Sequence, residues 1–404
     1  MSMDATHRIE LYGVTISAGD AWRRVPLVSG IVGMLGVVAS VALGRGEAAD
    51  QLYFSWLVAF LFFLSIALGA MFFVLVHFVC RAGWGVAVRR LSENVMATVP
   101  LFAALFVPVA AGMHHLFHWT DAEAVAHDAL LQSKAPYLNT SFFFVRAAVY
   151  FTCWTVIALV YYRGSCRQDD SGDESITRRL TARSGPAIVL YAVTVSFAAI
   201  DWIMSLDPHW YSTIFGVYYF SGALVGTFSF TVLIAVALRR AGYLRHAVTV
   251  EHFHDLGKLL FAFSLFWAYI AFSQFFLIWY ANLPEETVWY MRRLEGSWKA
   301  LTIVLALGHF AVPFFFLMSR TIKRHRGLLV IGAIWMLLIH LLDIYWLVMP
   351  VLHAHGVRPA LLDLTTLVGI GGLFFALFGW LLTRRALVPM RDPRLMESLS
   401  LENF

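Results

Sequence analysis

A histidine and a carboxylate stand together where an apolar chain should carry neither. Residues 327–350 read GLLVIGAIWMLLIHLLDIYWLVMP, and His340 and Asp343 within them are three apart, on one face of a helix. A neutral imidazole beside a carboxylic acid can hand a proton across in either direction. Residues 185–208, GPAIVLYAVTVSFAAIDWIMSLDP, overlay this run without a gap and place Gly185 on Gly327, Asp201 on Asp343 and Pro208 on Pro350. Each run is long enough to cross a bilayer as a helix, so each carries one acid inside the membrane. Such groups are costly there and usually line a path for protons, ions or substrate.

Other ionisable residues extend the pattern. His309 falls near the middle of a further apolar run, and Arg146 lies about six residues from the outer end of another, at a depth where it can face Asp201. The sequence EHFHDLGK supplies Glu251, His254, Asp255 and Lys258 at the inner end of the run that follows it. Read together with Asp343, His340, Asp201, His309 and Arg146, they trace an incomplete polar route from the inner side toward the outer half of the membrane. The cluster HHLFHW puts His114 and His118 on one face, where they could bind a metal or a quinone head group, and His114 or Arg146 is a candidate for holding a quinone head group near the outer helix ends. Plainer roles compete at each point: Arg146 with Asp201 as a structural ion pair, EHFHDLGK as a charged helix cap, His309 as a packing residue.

The elements that must position these groups follow from composition. Of 404 residues, 60% are hydrophobic and only 14% charged, outside the range of soluble domains, so an all-α polytopic membrane protein is expected. Three cysteines in no CxxC or CxxCH pattern give no basis for an iron–sulfur cluster, a zinc site or an attached haem. No histidine pair on facing helices at matched depth is evident for b-type haem. The polar start, with Asp4 and Glu10, argues against a cleaved signal peptide. Apolar runs beginning near Val25, Gln51, Val95, Thr140, Pro186, Ser212, Leu256, Trp298, Leu328 and Leu364 give ten transmembrane helices. With the N-terminus inside, inner connections hold 23 Lys and Arg and outer ones 6, with Arg146 left within a span; both termini are therefore expected in the cytoplasm. The net charge of +5 reflects those basic loops rather than a nucleic-acid partner.

This topology sends the two acid-bearing runs, spans five and nine, across in the same direction. The expected layout is two pseudo-repeated four-helix bundles, 51–208 (spans two to five) and 209–350 (spans six to nine). Two peripheral helices flank them, within 25–50 and 351–384, with cytoplasmic segments at 1–24 and 385–404. Both acids are expected in the outer half of the bilayer, with each proline capping an outer helix end. Residues 164–184 read as a solvated cytoplasmic linker, and the outer loops 118–139 and 282–296 as solvated loops of a size that can dock a partner.

Ten spans, a repeated bundle and two stretches carry a family resemblance. DWIMSLDPHWYSTIFGVYYFSG, from Asp201 to Gly222, and FHDLGKLLFAFSLFWAYIAFSQFFLIWYANLPEE, from Phe253 to Glu286, resemble the polysulfide-reductase-like (NrfD-like) membrane subunits. They are most similar to the shorter such subunit of alternative complex III, a quinol:cytochrome c (electron-acceptor) oxidoreductase. The resemblance implies a bacterial inner-membrane subunit that binds no haem or iron–sulfur cluster itself. Its partners would be a larger paralogue, an iron–sulfur protein and a multihaem cytochrome c. Quinol oxidation would fall to the paralogue, and this chain would supply a proton path and assembly support. Direct quinol binding is one alternative; a proton-coupled secondary transporter is another, disfavoured because no span is visibly broken by paired Gly and Pro at its middle.

Overall fold

The computed structural model describes residues 13–402; Asp4, Arg8 and Glu10 lie outside them. Among the described residues the regular elements are all helical. Ten are long and apolar enough to cross a membrane: Ala21–Leu43, Gly46–Val79, Val86–Ala111, Thr140–Ser171, Ser175–Leu206, Phe215–Arg240, Val250–Ala281, Trp298–Met318, Arg326–Val351 and Leu361–Arg384. Helices suit such sequences because each satisfies its own backbone hydrogen bonds where no water can.

Spans two and six form the centre. Span two is buried on every side from Phe54 to Met71, and Gly69 lets span six approach so closely that a Cβ there would lie 2.4 Å from the Ala223 carbonyl oxygen. The Tyr219 hydroxyl donates to the Leu61 carbonyl at 2.9 Å and the Thr227 hydroxyl to that of Ile66 at 2.8 Å, cross-linking the pair. Span two also packs on spans three, five, nine and ten, and span six on spans five, seven and nine. Both ends of the described chain meet on one face: the Leu387 amide donates to the Val14 carbonyl, and Ser398 bonds Trp84, Ala87 and His252.

Spans one and ten pair through glycines. A Cβ on Gly36 would lie 2.6 Å from the Gly369 nitrogen, and one on Gly372 2.4 Å from the Gly33 Cα. Small residues at this spacing let helices touch backbone to backbone in lipid, where apolar side chains alone give little preference for one another. The opposite side of span one, with Leu27, Ile31, Leu35 and Val38, is exposed. Gly372→Leu is therefore expected to separate the two spans. A disulfide between cysteines placed at Ser40 and Thr365, whose hydroxyl oxygens are 3.0 Å apart, should form in the parent and be largely lost in that variant.

Several boundaries differ from the sequence expectation. The linker at 164–184 is mostly helix: span four runs through Ser171, span five starts at Ser175 with Pro186 inside it, and Gly172 makes the turn at φ +71°. The two polar extensions hold together through Tyr161, which donates to the Leu180 carbonyl, and through Thr177, which donates to Gln168. Gly185 is thus ten residues inside its helix, whereas Gly327 is at the second residue of its own. Span three begins at Val86, nine residues early, because its first charges are neutralised internally: Arg89 and Arg90 each pair with Glu93 at 2.8 Å, and with Asp392 and Asp169 respectively at 2.7 Å. The loops at 118–139 and 282–296 also carry short helices, and Pro284–Arg293 buries Trp289 and Arg293.

Candidate functional site

The two acids matched by sequence have unlike surroundings. Asp201 is buried and fully engaged: Arg146 donates to its two oxygens at 2.8 and 3.0 Å, and the Tyr150 hydroxyl donates at 2.7 Å. Arg146 also donates to the Tyr137 carbonyl at 2.8 Å and lies over the rings of Tyr137 and Phe142. This is a closed, charge-balanced lock between spans four and five. It stands one residue before the end of helix Ser175–Trp202, whereas Asp343 stands five residues before the end of helix Arg326–Val348. Measured from their helix ends, the acids differ by about one turn, ~6 Å. Pro208 follows the short 3₁₀ turn after Trp202, while Pro350 lies inside the corresponding turn.

Asp343 has no cation within ion-pairing distance among the described residues. One oxygen accepts from the Tyr218 hydroxyl at 2.6 Å and the other from the Trp267 indole nitrogen at 3.0 Å, tying span nine to spans six and seven. His340 faces span two, with Nε2 2.8 Å from the Ser65 Oγ. Ser65 donates its own proton to the Phe62 carbonyl at 2.7 Å, so its oxygen must accept from His340 Nε2–H, and Nδ1 is left as a free lone pair. That nitrogen has no partner. The ring fits because span six offers glycine: a Cβ on Gly222 would lie 2.9 Å from its Cε1, and one on Gly226 3.0 Å from its Cδ2.

His309 joins the pair from span eight. It sits in a π-helical segment, Ala306–Ala311, an irregularity that recurs at functional sites and turns one residue out of register. Trp335 compensates by donating to the Gly308 carbonyl at 2.8 Å. The imidazole stacks on Trp267 at 3.6 Å between centroids, and neither nitrogen has a hydrogen-bond partner. One atom each of His309, His340 and Asp343 lie within 4.8 Å of one another, all buried. The sequence expectation that no two histidines on facing spans meet is therefore corrected; the π-segment and the glycine gap bring them together.

Such a trio can also be spaced like metal ligands. Both Asp343 oxygens accept hydrogen bonds yet keep lone pairs, and His340 Nδ1 has no partner, so the trio meets the distance condition for a metal as well as for a proton. The geometry suits proton exchange: acid, imidazole and imidazole buried together, with imidazole nitrogens that have no protein partner.

The remaining candidates lie apart from this cluster. Glu251 is held by Arg324 at 2.7 Å, Asp255 pairs with Lys258, and His254 is buried beside them at the inner end of span seven. From Asp255 to Trp267 the helix rises about 18 Å past Leu256, Leu260 and Ser264, which sets the two groups far apart. His114 is exposed and bonds Thr120 at 3.1 Å; the helix carrying it ends at Leu116, so His118 is not on its face. Tyr218, Trp267 and Ser65 escaped sequence reasoning, since uncharged residues in apolar runs carry no signal until helix facing is known.

Among the described residues, fold and site together define an all-α protein with ten membrane-length helices around a buried acid–histidine cluster. The chain matches no protein-family model and no curated protein.

Proposed function

We propose that this chain is an integral membrane subunit of a quinol:cytochrome c (electron-acceptor) oxidoreductase, and that Asp343, His340 and His309 form its proton-exchange site. The observation that carries the proton reading is the convergence of one uncompensated acid and two partner-free imidazole faces in a buried site. The assignment to a respiratory complex rests on the resemblance of the 201–222 and 253–286 stretches to NrfD-like subunits. The charge asymmetry of the connections supports cytoplasmic termini, and the resemblance to NrfD-like subunits supports the bacterial inner membrane. The neighbour pattern supports a duplicated layout: spans two and six face each other, and each packs on both acid-bearing spans, five and nine.

In this reading Asp201 with Arg146 is the structural counterpart of the site, and Asp343 is the working acid. The chain handles protons while the larger paralogue, an iron–sulfur protein and a multihaem cytochrome c carry the electrons. Purification of the native assembly through a tag on this chain is the test. Co-purification of haem- and iron–sulfur-containing subunits with quinol:cytochrome c activity is expected. Recovery of the chain alone, with solute transport after reconstitution, would replace the reading with that of a proton-coupled transporter.

A further inference from the structure

A lateral cavity of about 370 Å³ opens between spans six, seven and eight and the connecting helix Pro284–Arg293. Its walls are almost wholly apolar, and its rim residues Phe272, Leu294 and Phe310 are exposed on the lipid-facing side. The cavity is polarised along the membrane normal. One end, at Ala306 and Phe310, is midway along span eight; the other, at Arg293 and Tyr290, lies outside the spans at the membrane boundary.

Arg293 is the unexplained group. Only 1% exposed, it donates to the carbonyls of Trp346, Trp289 and Leu347 at 3.2, 3.0 and 2.9 Å, and its guanidinium lies 3.4 Å from the centre of the Trp289 ring. No carboxylate lies within ion-pairing distance of it among the described residues; the nearby Asp207 is taken by Arg292 at 2.9 Å. Burial pulls Arg293 down to about 9 from its ordinary value, so the charge is retained at neutral pH without a counter-ion. Of five N–H donors three are used, leaving two. Tyr290, on the same wall, accepts from Gln274 at 3.1 Å and keeps its own proton to donate.

We propose that this cavity binds one acidic lipid, its anionic head paired with Arg293 and hydrogen-bonded by Tyr290, its chain running inward toward Ala306 and Trp267. A buried cation at the membrane boundary above an apolar slot matches the polarity of an anionic amphiphile, and the head supplies the missing counter-charge. The inference does not rest on the proton reading, although Tyr218 and Trp267, the donors to Asp343, also line the cavity.

Native mass spectrometry of the full-length protein, titrated with phosphatidylglycerol or phosphatidylcholine of identical chains, tests it. The wild type is expected to retain one phosphatidylglycerol at least about tenfold more strongly than phosphatidylcholine. Arg293→Gln should remove that preference, and Ala271→Trp, which fills the slot while leaving Arg293 in place, should remove retention. Lys299→Gln, which removes an exposed cation outside the cavity and leaves the Arg292–Asp207 pair intact, should keep both. Equal retention of the two lipids by the wild type, or a preference that survives either Arg293→Gln or Ala271→Trp, overturns the proposal. So does a short-chain quinone that binds the wild type but not Ala271→Trp, with no phosphatidylglycerol preference, which would assign the cavity to quinone.

Discussion

Asp343→Asn is expected to abolish proton transfer through this chain while the protein still folds and assembles. The amide oxygen can go on accepting from Tyr218, but its NH2 group then faces the Trp267 indole N–H, donor against donor, in place of the 3.0 Å bond. That mismatch costs about 1–3 kcal/mol, a loss a ten-helix protein should tolerate. What disappears is the only carboxyl of the buried trio, and with it the group that exchanges protons with His340 and His309. In vesicles containing the native assembly, electron transfer from quinol should persist while protons moved per electron fall. His340→Gln should act in the same direction, because it removes the free Nδ1 lone pair. Unchanged proton stoichiometry in both variants, at normal assembly, would leave the cluster as packing. A stoichiometric metal ion in the wild type, lost in Asp343→Asn, would identify it as a metal centre.

Arg146→Leu is expected to be among the most destabilising single changes in the chain. It leaves Asp201 buried with the Tyr150 hydroxyl as its remaining donor, and breaking a buried ion pair from one side costs about 3–5 kcal/mol. Thermal unfolding in detergent should show a large drop in midpoint and in folded yield. The double variant Arg146→Leu/Asp201→Leu should recover much of the loss, since no uncompensated charge remains and the strongly coupled pair is removed as a unit. Where enough protein folds to reconstitute, the double variant should keep the proton stoichiometry of the parent. Loss of stoichiometry in a well-folded double variant would place Asp201 on the same path as Asp343. The two acids thus make opposite predictions from matching positions: one variant loses function and keeps stability, the other loses stability and keeps function.

The number of membrane-length helices and the identity of the ionisable residues were legible from the chain alone, because apolar length and the rarity of charge are local properties. Helix ends were less so. Hydropathy drops where Arg89, Arg90 and Glu93 begin span three and where span four continues to Ser171, yet the helices persist because ion pairs and side-chain bonds across the fold satisfy those charges. The site itself was decided by tertiary structure. Sequence overlay made Asp201 and Asp343 equivalents and depth offered Arg146 to Asp201, but only packing closed that pair and left Asp343 with no cation. Spacing put His340 beside Asp343, but His309 reaches them through a π-segment, and His340 turns toward Ser65 through a gap left by Gly222 and Gly226. A hydrophobic pattern records which residues avoid water. It does not record which helix each polar face meets, and that meeting separates a working acid from a structural one.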